Sequence, residues 1–273
     1  MAALPTSASA ADPGRWRLVS ATPIRLSYWQ GITSFTDAQG SNLIFTGIAK
    51  GVYRTDLALR ERAENDPAIP SDVERSEGFN HIGDPSFDPA GGGRILLPLE
   101  CYGGSEHCRR AAIGVVDKST LKWRYHVKTD AASKLMWVEV SPDGRLAWSS
   151  SGGDLIAFTA EQISAKSAAA GVALRPVRRL SGVLRLLPGV TGAAFWRGRL
   201  MLAGQRGSSF EVNSVSLIDG SVRLEIERKM TGESEGLDSV SFGGGLLQWQ
   251  IMPRPWPFPP SYLRPTLLSF APR

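Results

Sequence analysis

The chain is poor in the side chains that usually carry chemistry at neutral pH. It holds two cysteines and three histidines among 273 residues. Cys101 and Cys108, with only Glu106 and His107 beside them, are too few for a thiolate metal centre. No apolar run approaches the roughly 20 residues of a membrane-spanning helix. There is no G-x-S-x-G, no H-E-x-x-H, no P-loop and no G-x-G-x-x-G. These absences exclude the hydrolases, zinc proteases and nucleotide-binding proteins that are recognised by such motifs. The net charge of +5 is scattered, with a denser stretch at residues 175–179 and Arg185. It lacks the interleaved aromatics of a nucleic-acid surface and reads as a solvated basic face, so no nucleic-acid partner is expected.

Glycine (29) and proline (18) are abundant, and 42% of residues are hydrophobic. That combination suits many short strands joined by tight turns around a large core. Residues 231–242 (TGESEGLDSVSF) form the reference stretch: a carboxylate-bearing loop running into a short strand. Weaker copies begin near Gln30, Ile82, Trp137 and Val190, each followed by a turn and a hydrophobic strand. Copies recur every roughly 45–55 residues, and four-strand repeats of that length are propeller blades. The expected fold is therefore an all-β, five-bladed β-propeller spanning residues 15–273 as one domain, with six blades or a pair of β-sandwiches as alternatives. The last copy lacks a fourth strand, which residues 16–21 can supply, closing the ring. A helical turn is expected at residues 59–63 within a long polar surface loop (57–76), and a short helix over residues 160–169.

Residues 1–14 read as the remnant of a secretory signal or as a disordered tail. Ala8-Ser9-Ala10 fits a cleavage site. Export suits the cysteines, since the spacer between Cys101 and Cys108 is short and glycine-rich enough to close a disulfide. The localisation expected is secreted.

In a propeller the innermost strands line a central channel. The starts of these strands would bring Gln30, Asp84, Glu139, Thr191 and Glu235 to one end, with Glu77, His81 and Glu233 nearby. Converging carboxylates repel unless they are protonated or bridged by a cation. Asp84, Glu139, Glu235 and Glu77 are therefore the candidate metal ligands, and an all-oxygen set points to Ca²⁺. An ordinary solvated channel mouth is the alternative. His107 and His126 look structural, which leaves His81 as the one candidate catalytic base. The proline-rich segment at residues 252–263 carries Trp256, Phe258 and Tyr262, rigid aromatics suited to stacking on a sugar or a protein. Gln30 and Trp137 would add to that ligand-binding surface.

Residues 233–238 (ESEGLD), with His81 and Asp84, resemble the channel ligands of the calcium-dependent propellers, meaning the regucalcin/gluconolactonase, arylesterase and soluble apyrase group. The first and fourth copies carry Gln30 and Thr191 at the corresponding places. The resemblance implies an axial Ca²⁺ and hydrolysis of a lactone, ester or phosphoanhydride. The expected function is that of a secreted, monomeric recognition module for an extracellular glycan or protein. A Ca²⁺-dependent hydrolase acting at the channel is the alternative.

Overall fold

The computed structural model describes residues 15–47, 50–102, 110–252 and 264–273. Its strands fall into five antiparallel sheets, one for each copy of the repeat. The first blade is β2 (Gly31–Asp37), β3 (Gly40–Thr46), β4 (Val52–Asp56) and β5 (Glu61–Asn65). The second is β6 (His81–Ile82) and β7 (Ser86–Asp88) on one edge, then β8 (Arg94–Glu100), β9 (Ala111–Asp117) and β10 (Trp123–Thr129). The third is β11 (Glu139–Val140), β12 (Leu146–Ser151), β13 (Asp154–Thr159) and β14 (Arg178–Leu180). The fourth is β15 (Gly189–Trp196), β16 (Arg199–Arg206), β17 (Ser209–Val215) and β18 (Val222–Lys229). The fifth is β19 (Glu233–Asp238), β20 (Leu247–Met252) and β21 (Thr266–Pro272), completed by the N-terminal β1 (Trp16–Pro23).

The protein is thus a five-bladed β-propeller. The closing strand is the expected one, in register from Trp16 opposite Pro272 to Pro23 opposite Thr266. Trp16 is buried among Ala194, Met201, Phe210 and Ile226 of the fourth blade. Its indole N–H donates to Glu225 Oε2 at 3.3 Å. The next residues, Ile24 and Tyr28, pack with Ile32, Phe45 and Tyr53 of the first blade. The N-terminal segment therefore links the last blade to both of its neighbours. Among the described residues, no helix is long and apolar enough to cross a membrane.

The five inner strands approach one another so closely that several positions cannot carry a Cβ. One added to Gly31 would lie 2.6 Å from Asp84 Cα, and one on Gly236 would lie 2.5 Å from Asp84 Oδ1. A Cβ on Gly83 would run into the carbonyl oxygen of Met136. The glycines that mark the repeat in the sequence are the ones that let the ring contract around its axis.

Two local expectations are corrected. Residues 61–65 form the outer strand β5, not a helical turn. Its residues are mostly exposed, so no polar–apolar alternation announces it. The polar loop instead contains helix α1 (Ser71–Glu77), with Pro70 before it and Gly78 after it in the left-handed conformation. That arrangement of proline and glycine is a standard pair of helix boundaries. The second helix, α2 (Ala165–Ala169), occupies only the end of its predicted span and is capped by Ser164, which accepts from the Ser167 N–H.

Candidate active site

Asp84 sits at the centre of the ring. It follows β6 in the second blade and is fully buried. Its Oδ1 accepts from the Ile32 N–H of the first blade at 2.9 Å. Its Oδ2 accepts from the Ala193 N–H of the fourth blade at 2.9 Å and the Leu237 N–H of the fifth at 3.3 Å. The Asp84 N–H donates to Met136 and its carbonyl accepts from Val138, an isolated bridge to the third blade. One residue thereby joins all five blades. Burial pushes its pKa well up, and the three N–H groups pull it down by a smaller amount.

The inner strands begin on one side of Asp84, and there the acids form a mouth. Antiparallel pairing sets His81 opposite Glu100. His81 Nδ1 lies 2.8 Å from Glu100 Oε1, a close approach without the alignment of a hydrogen bond that becomes an ion pair when the imidazole is protonated. Lys134 Nζ stands 3.2 Å from Glu100 Oε2. The remaining ring nitrogen, Nε2, takes no partner among the described residues and is not sealed from solvent. The imidazole is stacked by Tyr102 at 5.5 Å.

Glu235 completes this mouth from the fifth blade. Only 9% of the residue is exposed, and its carboxyl group receives no hydrogen bond from any described residue. Burial, followed by the charge of Glu100, drives its pKa well above the usual carboxylate range. Beside it, Ser234 Oγ accepts from the Trp249 indole N–H at 3.0 Å and lies 3.2 Å from Thr191 Oγ1. These contacts hold the strand that presents Glu235.

On the far side of Asp84 lies a second acid pair. Glu139 Oε2 accepts from Ser86 Oγ at 2.8 Å, and Oε1 accepts from the Phe195 N–H at 3.0 Å. Burial and then the charge of Asp238 raise its pKa to about 8. Asp238 is pushed up to about 6, chiefly by burial, with Ser34 and the Ser239 N–H opposing. Its Oδ2 is buried without a hydrogen-bond partner among the described residues.

The four acids expected to share a cation therefore stand at four separate places. Glu235 is at the mouth, Asp84 at the centre and Glu139 at the opposite end. Glu77 closes helix α1 on the outside of the second blade, where Lys128 Nζ pairs with it at 2.8 Å. His126 Nε2 is 4.0 Å from the same oxygen. Backbone N–H groups meet Asp84 and Glu139, and Lys128 meets Glu77. Among the described residues, no three acids, histidines or cysteines gather as a metal cluster. As placed, these residues do not fit a single calcium ion, whose six to eight oxygen ligands must converge.

Trp137 is also displaced from its expected role. It is fully buried against Trp148, Val183 and Leu202 and offers no face to a ligand. Gln30 does stand at the mouth, half-buried, one residue before β2. Trp256, Phe258, Tyr262 and Cys108 lie outside the described residues. Cys101 is described, with its Sγ 2.9 Å from the Gly78 carbonyl oxygen.

Glu100, Tyr102 and Lys134 are the residues that sequence reasoning missed as site members, whereas Asp238 lies in the stretch 233–238 already singled out. All three lie away from the inner strands, so the repeat gives no sign of them. The pairing of β6 with β8 could have revealed Glu100, because counting back along the hairpin from His81 ends on it.

The fold and this mouth define a five-bladed propeller with an acid–histidine cluster where its inner strands begin. No protein-family model matches the chain, and no curated protein sequence does. Solved structures do. Myxococcus xanthus glutaminyl cyclase superposes with a TM-score of 0.56 at 11% identity, covering 94% of this chain and 96% of that one. The RS223 β-xylosidase gives 0.57 at 11% identity, covering 92% and 94%. An exo-β-1,3-galactanase from Phanerochaete chrysosporium gives 0.54 at 9% identity, and the match spans only 64% of its length. At such identities the likeness is one of fold.

Proposed function

We propose that the chain is an enzyme, a hydrolase that works by general acid–base chemistry at the mouth of the channel. The observation that carries this reading is Glu235, a largely buried carboxyl group with no hydrogen-bond partner among the described residues, which feels the charge of Glu100 from the His81–Glu100 pair. Burying such a group costs free energy, and a fold that needs it only for structure would give it a partner. The glutaminyl cyclase, xylosidase and galactanase that share the fold are themselves enzymes, which supports the reading.

The roles follow from the environments. Burial and then the charge of Glu100 raise the Glu235 pKa, so it keeps its proton to higher pH than an ordinary glutamate, and in the protonated form it can pass that proton to a leaving group. His81, steadied at Nδ1 by Glu100, can take a proton from water through Nε2. Glu100 balances the imidazolium that forms, and Lys134 balances Glu100 in turn. A carboxyl group that can donate a proton and an imidazole nitrogen that can accept one make a paired acid and base.

Glu235→Gln is expected to lower kcat on a responsive ester or glycoside with a poor, alkoxide leaving group by about 10²–10⁴-fold. Its melting temperature should stay close to the wild-type value, because no hydrogen bond to a described residue is lost. Wild-type activity should fall as pH rises through the raised Glu235 pKa, since the protonated form is the working one. Unchanged turnover in the variant would refute the assignment.

A further inference from the structure

We infer that the mouth binds a neutral oligosaccharide, one sugar ring of which lies on Tyr102. This rests on the acid–base reading of the same mouth and names the substrate class it serves. Tyr102 is 70% exposed, unusual for so large a ring. It is nevertheless fixed in place. Its N–H donates to Asn80 Oδ1 at 2.7 Å, and its carbonyl oxygen accepts from Asn80 Nδ2 at 3.0 Å. Its ring stacks on His81 with 28° between the planes. One face is thus backed by the imidazole, and the rest stands open beside the acids. A rigid aromatic platform binds at little entropic cost, because its conformation is already set.

The charges select the ligand. The negative π-face of Tyr102 attracts the polarised C–H groups of a sugar ring, or else a cation. Glu100 is the anion that would hold a cation, and it is already buried in ion-pair contact with Lys134 and in close approach to His81. An anionic ligand would meet the Glu100 carboxylate. A neutral polyol avoids both conflicts. Its hydroxyls can exchange hydrogen bonds with Glu235 and with the open His81 Nε2, and a sugar also brings the C–H face that suits Tyr102.

The test is calorimetric binding of xylotriose and β-1,3-galactotriose, with a glucosamine trimer as the cationic control. It is run on the Glu235→Gln protein so that no substrate is consumed. At least one neutral trisaccharide is expected to bind more tightly than the cationic one. Adding Tyr102→Ala should weaken it about tenfold or more, whereas Tyr102→Phe should stay within about twofold. No binding of either neutral trisaccharide, tighter binding of the cationic trimer, or unchanged affinity in Tyr102→Ala would overturn the inference. The two readings fail separately. If Glu235→Gln turns over like wild type while Tyr102→Ala still loses the sugar, recognition stands without the acid–base chemistry. If the variant is inactive and Tyr102→Ala binds normally, the chemistry stands and the platform falls.

Discussion

Asp84→Ala is expected to leave the protein largely unfolded at ambient temperature, and Asp84→Asn to lower its melting temperature by roughly 5–10 °C. The alanine variant strips the acceptor from three buried N–H groups, those of Ile32, Ala193 and Leu237. Each such orphan costs about 1–3 kcal/mol. Their sum rivals the ~5–15 kcal/mol by which a domain is stable. Asparagine keeps one oxygen, which can serve Ile32 or the Ala193–Leu237 pair but not both. Its amide would then point donors at donors. A cost of about 2–3 kcal/mol corresponds to that shift in melting temperature for a chain of this size. Thermal denaturation followed by circular dichroism distinguishes the variants. Equal and wild-type-like melting of both would mean that the axial carboxylate does not tie the blades together.

Deleting residues 1–23 should have a comparable effect for a different reason. The deletion removes β1, leaving β21 as an unpaired edge and the last blade with three strands. It also removes Trp16, whose loss from the contact between the fourth and fifth blades alone costs about 3 kcal/mol. A propeller holds together only as a closed ring, since each blade buries its faces against two neighbours. The truncated protein should lose its cooperative thermal transition and become sensitive to protease across the fifth blade. A sharp transition near the wild-type temperature would show that β1 is dispensable.

Much of this architecture is legible in the sequence because it repeats. Gly31, Gly83 and Gly236 recur at blade spacing for a physical reason: the inner strands touch where those residues lie. Strand β1 is legible as the piece the last copy lacks. Outer strands are harder to read. Residues 61–65 show no alternation because little of β5 is covered. The site is legible only by halves. Asp84, His81 and Glu235 lie on the repeat and can be placed near the axis. What they meet there cannot be read, because the partners of Asp84 are backbone N–H groups, which every residue but proline carries. Glu139 and Glu235 both lie near the starts of their copies, yet one follows and the other precedes the residues that bond Asp84, Val138 and Leu237. Short β11 begins at Glu139, whereas β19 is irregular between Ser234 and Leu237 and turns Glu235 to the mouth.

The most direct test of the acid mouth is a pH titration of the glutamate side-chain carboxyl carbons by NMR, on wild type and Glu235→Gln. The resonance missing from the variant identifies Glu235. It should titrate well above the ordinary glutamate value of about 4.3, in keeping with its burial and the nearby Glu100 charge. A midpoint near that ordinary value would mean that Glu235 is a solvated carboxylate at neutral pH, with no proton to give, and would contradict the account.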